Sequence, residues 1–141
     1  MSPRGEDAVL VDAAVVLHAL GAPGPRRTAS RRYLMGLVRG RGRAYASTEM
    51  IQEVVHHRLR LGGDRQAAVA DARDVMASMT ILNFDREVLN LSLELIERTA
   101  IRGRDAVHAA TALAYGIEKI ASPDPAFDGI PGLVRIDPLG E

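Results

Sequence analysis

Short unbroken apolar runs alternate with longer amphipathic stretches along this chain. Ala8-Val9-Leu10-Val11 is unbroken and stops at Asp12, the pattern of a strand buried on both faces of a parallel sheet. Ala13 to Leu20 then reads as a short apolar helix closed by Gly21. Pro23-Gly24-Pro25 makes a rigid turn before an arginine-rich helix over 28–39, which Gly40 ends. Ala44-Tyr45-Ala46 is a second, weaker strand, after which Thr48 can cap a helix running to Leu61 with Glu49 in its first turn. Gly62-Gly63 breaks the chain, and Asp64 caps a helix through Ser78 whose apolar face carries Ala68, Val69, Ala72, Val75, Met76 and Met79. Thr80-Ile81-Leu82 gives a third strand, and Asp85 caps a helix with a broad stripe of Val88, Leu89, Leu91, Leu95 and Ile96. Arg102-Gly103-Arg104-Asp105 leads into a small-residue helix from Ala106 to Tyr115 stopped by Gly116. Ile117 to Ser122 predicts a fourth strand, 123–132 a loop, and Leu133 to Ile136 a last strand.

Strands alternating with helices predict an α/β fold, a three-layer sandwich with a mostly parallel central sheet flanked by helices. With 141 residues the chain is expected to form one domain, residues 1–141, large enough to bury a core without staples, and residues 1–7 read as a flexible start. The absence of cysteine excludes disulfides, thiolate zinc sites and thiol nucleophiles. Residues 1–7 are polar and charged, unlike an apolar signal sequence, and no run is long enough to span a bilayer, so a soluble, cytoplasmic protein without a membrane partner is expected.

Four acidic residues change this picture. Asp12, Glu49, Asp105 and Asp124 each fall where a strand ends or a helix begins, and in open α/β sheets those junctions form the crevice in which ligands bind. Each acid has an ordinary role open to it: strand end for Asp12, helix-dipole partner for Glu49, N-cap for Asp105, turn residue for Asp124. Their shared placement on one sheet edge favours a common site. Two carboxylates about 4 Å apart repel by about 4 kcal/mol at an effective dielectric of 20, so a cluster must protonate or hold a cation. Mg²⁺ suits such oxygen donors and keeps waters for chemistry, with Mn²⁺ as the alternative.

Basic and acidic residues balance at 18 each, but their distribution is uneven. No acid lies between Asp12 and Glu49, a segment that holds Arg26, Arg27, Arg31, Arg32, Arg39, Arg41 and Arg43. Arginine pairs bidentately with phosphate and carboxylate, so Arg27 and Arg31, together with Arg102 and Arg104 beside Asp105, are candidates for contact with RNA or an acidic partner. A solvated helix face is the competing account. The adjacent His56 and His57 point in different directions from a helix and make a poor metal pair, and a packed helix residue is the ordinary reading of His108.

Val-Leu-Val-Asp12, Ala-Ser-Thr-Glu49, Gly-Arg-Asp105-Ala-Val-His-Ala-Ala-Thr-Ala-Leu and Ala-Ser-Pro-Asp124-Pro-Ala-Phe-Asp128, in this order, resemble the PIN-domain ribonucleases, and among them the VapC-type toxins of prokaryotic toxin–antitoxin pairs. The resemblance spans about residues 9–138 and is most specific in the third block. It implies a PIN-like sandwich with an acidic site on Asp12, Glu49, Asp105 and Asp124, Asp128 in reserve and the Ser122 hydroxyl beside the fourth acid. It further implies Mg²⁺-dependent hydrolysis of RNA, with Asp12 and Asp105 the most direct ligands and products ending in 5′-phosphate and 3′-hydroxyl. A homodimer and a small VapB-type antitoxin are the partners it implies. The sequence departs from the pattern at Ala13, where the family commonly has Thr or Ser, so a hydroxyl that orients Asp12 or meets a phosphate is missing.

Two other readings compete. A non-catalytic RNA- or protein-binding module of the same fold would draw on Ala13, but the acids are intact. A receiver-like signalling domain needs paired acids after the first strand and a lysine at a late strand end; Asp12 stands alone, and the only lysine, Lys119, begins a strand.

Overall fold

The computed structural model describes residues 5–140, and the first four residues of the expected flexible start lie outside that range. Five strands form one parallel sheet: β1 Ala8–Val11, β2 Arg43–Ser47, β3 Thr80–Leu82, β4 Lys119–Ala121 and β5 Val134–Ile136, in the order β3-β2-β1-β4-β5. The helices between them are α1 Ala13–Leu20, α2 Pro25–Gly36, α3 Thr48–Arg60, α4 Arg65–Ser78, α5 Arg86–Arg98 and α6 Gly103–Ala114. The sandwich expected from the alternating pattern is therefore formed, and its sheet is wholly parallel among the described residues.

The unbroken apolar run of β1 follows from its central place. Side chains alternate across a strand, and here Ala8 and Leu10 enter one core with Ile120, Ile101, Val88, Leu95 and the alanines of α6, while Val9 and Val11 enter the other with Val15, Val16, Met50 and Val54. Both faces are dry, so no position on β1 tolerates a polar side chain. The small residues of α6 serve the same geometry: Ala106, Ala109, Ala110 and Ala112 are fully buried, which lets the helix lie close between the sheet and α5.

Several boundaries differ from expectation for identifiable reasons. The arginine-rich helix starts at Pro25, whose fixed φ suits a first helical position, and ends at Gly36 in a wide π-type turn over Leu37–Arg41, where Gly40 takes φ +88°. Ser47, not Thr48, caps α3, its side chain accepting from the Met50 N–H at 3.0 Å. Helix α6 begins three residues before Ala106, which sets Asp105 inside its first turn. On α4 and α5, Val69, Met76, Leu89 and Ile96 remain exposed; the sheet is too narrow to cover the full apolar width of these outer helices. Gly5–Asp7 are tied down by the Asp7–Arg43 ion pair at 3.1 Å and by the Lys119 ammonium donating to the Glu6 carbonyl.

Asp85 and Asp64 cap α5 and α4 as their sequence positions predict, through the Val88 and Gln66 N–H groups at 3.0 Å. Asp85→Ala should cost about 1 kcal/mol, read as a lower urea midpoint with an unchanged slope.

Candidate metal-dependent active site

Strand order reverses between β1 and β4: from β1 the chain builds β2 and β3 to one side, then β4 and β5 to the other. The carboxyl end of such a reversal is where open α/β sheets bind ligands. Val11 and Ala121 are register partners there, and the ladder continues as the Asp12 N–H donates to the Ala121 carbonyl at 3.0 Å. Asp12 and Ser122, more than a hundred residues apart in sequence, are therefore neighbours by strand register. The Ser122 hydroxyl donates to Asp12 Oδ2 at 2.7 Å, and its oxygen accepts from the Asp124 N–H at 3.0 Å. One serine thus fixes the first acid and the backbone of the fourth. Asp124 itself is exposed and caps the short 3₁₀ turn Pro125–Phe127, its Oδ1 accepting from Ala126 N at 2.9 Å.

The third acid arrives from α6. Asp105 is half-buried in the first turn, and three residues later His108 has no exposure at all. His108 Nδ1 lies 2.8 Å from Ser47 Oγ, while Nε2 lies 3.1 Å from Glu53 Oε1 and 3.8 Å from Asp12 Oδ1. The structure adds an acid to those assigned from the sequence: Glu53, one helical turn beyond Glu49, reaches the cluster through His108. Glu49, half-buried at the start of α3, is not among the groups that chiefly set the charge environment of Asp12, Asp105 or His108, whereas Glu53 is. Residues at i and i+4 share a helix face, so the apolar pattern alone does not choose between them; depth along the helix does. Asp128 is also placed elsewhere. It is exposed and held by the Arg135 guanidinium in a two-point pair at 2.9 and 3.2 Å, which makes it a loop latch.

Charge at the site is crowded. Burial, then the neighbouring charges of Asp12 and Asp124, push Asp105 up to about 6. Burial also raises Asp12, which is only 5% exposed, against the opposing pull of His108 and the Ser122 hydrogen bond. Burial pulls His108 down, but its hydrogen bond to Glu53 and the charges of Asp12, Glu53 and Asp105 outweigh that, and the net direction is up. These are the signs of a carboxylate group arranged for a cation. Among the described residues no three such side chains close around an ion as they stand. Mg²⁺ does not require that, since it is ordinarily held by one or two carboxylates and completes its shell with water. The donors are all carboxylate oxygens, so the chemistry of the set fits a hard divalent cation such as Mg²⁺ or Mn²⁺.

Ala13 has no exposure and packs in the core beneath α1. The hydroxyl that the family pattern places there is absent, and Ser122 supplies Asp12 with a hydroxyl donor. Of the arginines, Arg31 donates through Nε to the Ala19 carbonyl at 2.8 Å and so ties α2 to α1. Arg102 and Arg104 are exposed on either side of Gly103, next to Asp105.

This architecture, a parallel five-stranded sandwich with acids gathered at its reversal point, belongs to the PIN-domain family, whose model matches residues 9–133. The chain is 32% identical over 134 residues to ribonuclease VapC7 of Mycobacterium tuberculosis, covering 92% of this chain and 91% of that protein. It is 27% identical over 131 residues to ribonuclease VapC13 of the same organism, covering 91% of this chain and 98% of that one. Its fold is similar to a solved structure of VapBC2 from Rickettsia felis bound to a promoter DNA fragment, with a TM-score of 0.74, 13% identity, and coverage of 92% of this chain and 98% of that one.

The raised Asp105 pKa gives a signed prediction. A carboxyl whose pKa rises on folding adds nothing unfavourable below about pH 4, where it is protonated in both states, and destabilises the fold progressively as pH rises through 6. Without divalent cation, Asp105→Asn should therefore stabilise the protein at pH 7.5 by roughly 1 kcal/mol after allowance for solvent screening, a few degrees in Tm, and by nothing at pH 4. Thermal melts at the two pH values in EDTA check this; a variant less stable than the parent at pH 7.5 contradicts the crowding.

Proposed function

We propose that this protein is a metal-dependent endoribonuclease of the VapC type, the toxin of a toxin–antitoxin pair. The observation that carries this reading is the gathering of Asp12, Asp105, Asp124 and Glu53 at the strand-order reversal, with the Ser122 hydroxyl fixing Asp12. The VapC relatives are named ribonucleases, and the similar VapBC2 structure supports a VapB-type antitoxin as the partner.

When bound, Mg²⁺ supplies charge neutralisation for the phosphodiester and acidity for water at the site. The protein's own contribution is placement. Asp12 is fixed by Ser122 and by its strand register, so it can approach a cation without rearrangement. Asp105 presents a carboxylate from the first turn of α6, where the helix dipole favours the ionised form and opposes the repulsion of its neighbours. Asp124 is exposed at the mouth and can orient an attacking water. No side chain here is suited to be the nucleophile: the chain has no cysteine, and the Ser122 hydroxyl and the His108 ring are buried and committed. With water as the nucleophile in place of the ribose 2′-hydroxyl, as the family resemblance implies, cleavage leaves 5′-phosphate and 3′-hydroxyl ends. Arg102 and Arg104 flank the third acid and are placed to meet the RNA backbone, with Arg27 on α2 available to RNA or antitoxin. No helix among the described residues is long and apolar enough to cross a membrane. The homodimer belongs to the same reading, and the exposed Leu89, Leu93 and Ile96 on one side of α5 offer it an apolar face.

The purified protein should cleave single-stranded RNA with Mg²⁺ or Mn²⁺, lose cleavage in EDTA, and lose it in Asp105→Asn while that variant stays folded. Cleavage that survives EDTA, or survives in the variant, overturns the site. Arg102→Ala combined with Arg104→Ala should weaken binding of the same RNA to a catalytically silent Asp105→Asn protein. If both arginines meet phosphates, the slope of log affinity against log salt falls by about 1.4; an unchanged slope returns them to the solvated surface.

A further inference from the structure

Among the described residues, His108 is the one fully buried ionisable side chain that the metal reading leaves without a task. Its ring is fixed at both nitrogens, and the hydrogen-bond inventory sets the direction of the chain. The Glu53 carboxylate can only accept, so the ring hydrogen belongs on Nε2, and in the neutral ring Nδ1 accepts from the Ser47 hydroxyl at 2.8 Å while Ser47 Oγ accepts from the Met50 N–H. The Nε2 hydrogen points at Glu53 Oε1, 3.1 Å away, with Asp12 Oδ1 beside it at 3.8 Å. An imidazolium would carry the same Nε2 hydrogen, so the contact does not depend on the charge state of the ring. Glu53 is a long side chain projecting from α3, and among the described residues this is its only hydrogen bond or ion pair. One carboxylate oxygen is thereby committed and Oε2 is left without a protein partner.

We infer that His108 is a positioning residue: through the chain Ser47–His108–Glu53 it orients the Glu53 carboxylate toward the cation site, joining helix α6, which carries Asp105, to helix α3. The inference rests on the proposed metal site and names the group that sets its second acid. Polar partners that orient ligating carboxylates typically change metal affinity 10–100-fold when removed. The site's binding of Mn²⁺ therefore reports His108 without any need for turnover.

Two substitutions separate orientation from packing. His108→Gln returns an amide nitrogen to the place of Nε2 and keeps a donor for Glu53. His108→Asn keeps a polar atom near Nδ1 for Ser47 but reaches no further. Mn²⁺ titrations followed by electron paramagnetic resonance, with circular dichroism melts on each protein, should show His108→Asn weakening Mn²⁺ about tenfold and His108→Gln staying within about threefold of the parent. Glu53→Gln should be weakened little further by adding His108→Asn, because both changes disable one unit. Equal losses in the Asn and Gln variants, parent-like affinity in the Asn variant, or losses that multiply in the double variant overturn the inference. Should a His108 variant not fold, Ser47→Ala tests the same chain from its other end: weaker Mn²⁺ binding is expected, and unchanged affinity in a folded protein overturns it. A parent protein that binds Mn²⁺ yet cleaves no RNA sinks the ribonuclease reading and leaves the His108 comparison intact; a parent that binds no Mn²⁺ sinks both.

Discussion

A carboxylate buried at the end of a central strand constrains nearly everything around it. Asp12 is set by the β1–β4 register at a point where little water reaches it, and an ionised group there is costly unless it is hydrogen-bonded and paired. Its partners come from separate parts of the chain. Ser122 comes from the strand that pairs with β1, His108 from α6, and the Ala13 N–H from the helix that Asp12 opens. The two side-chain partners bring further acids with them: Ser122 holds the backbone of Asp124, and His108 sits one turn from Asp105 and bonds Glu53. Stabilising one buried charge therefore assembles the others, and the repulsion thereby created is what a divalent cation relieves.

This arrangement sets stability against function at the same atoms. Without a cation, burial and the charges of Asp12 and Asp124 push Asp105 up to about 6, so the folded state carries unfavourable repulsion. Binding a cation removes it, which links ion affinity to folding stability: as pH rises through 6 the ion-free fold loses stability while affinity for the ion grows. The rest of the molecule is built to bear that load. Two dry cores flank β1, and Arg135 locks the loop after β4 by pairing with Asp128 while donating to the Ser122 carbonyl at 3.2 Å. The site edge is thus held by elements that take no part in holding the ion.

Most of the fold was legible because it is written in local signals. The unbroken run at Ala8–Val11, the Asp64 and Asp85 caps and the Pro and Gly breaks located the sheet and most helices to within a few residues. Asp12, Asp105 and Asp124 could be placed on one edge from topology alone, since parallel α/β order sends strand ends to the same side. What the sequence did not show is how far along a helix a side chain must lie to reach that edge. Glu49 and Glu53 share a face of α3, and choosing between them required knowing that Ser47 caps the helix and is bonded to His108. The reading of His108 as a packed helix residue was right about burial and incomplete about partners. Its buried position follows from the small-residue pattern around it, but its contacts lie on α3 and β2, 55 and 61 residues away.

The departure at Ala13 illustrates the same limit from the other direction. Taken residue by residue, the missing hydroxyl suggests a weakened site. In three dimensions Asp12 Oδ2 is already met by Ser122 at 2.7 Å, and the position after Asp12 lies in a sealed apolar core where a hydroxyl would need a partner of its own. A buried hydroxyl without one costs more than the single hydrogen bond it could add. The donor that orients the first acid is drawn instead from the neighbouring strand, whose register with β1 is fixed by the sheet. A hydroxyl on Asp12 is therefore supplied by strand register even though the residue after Asp12 carries none.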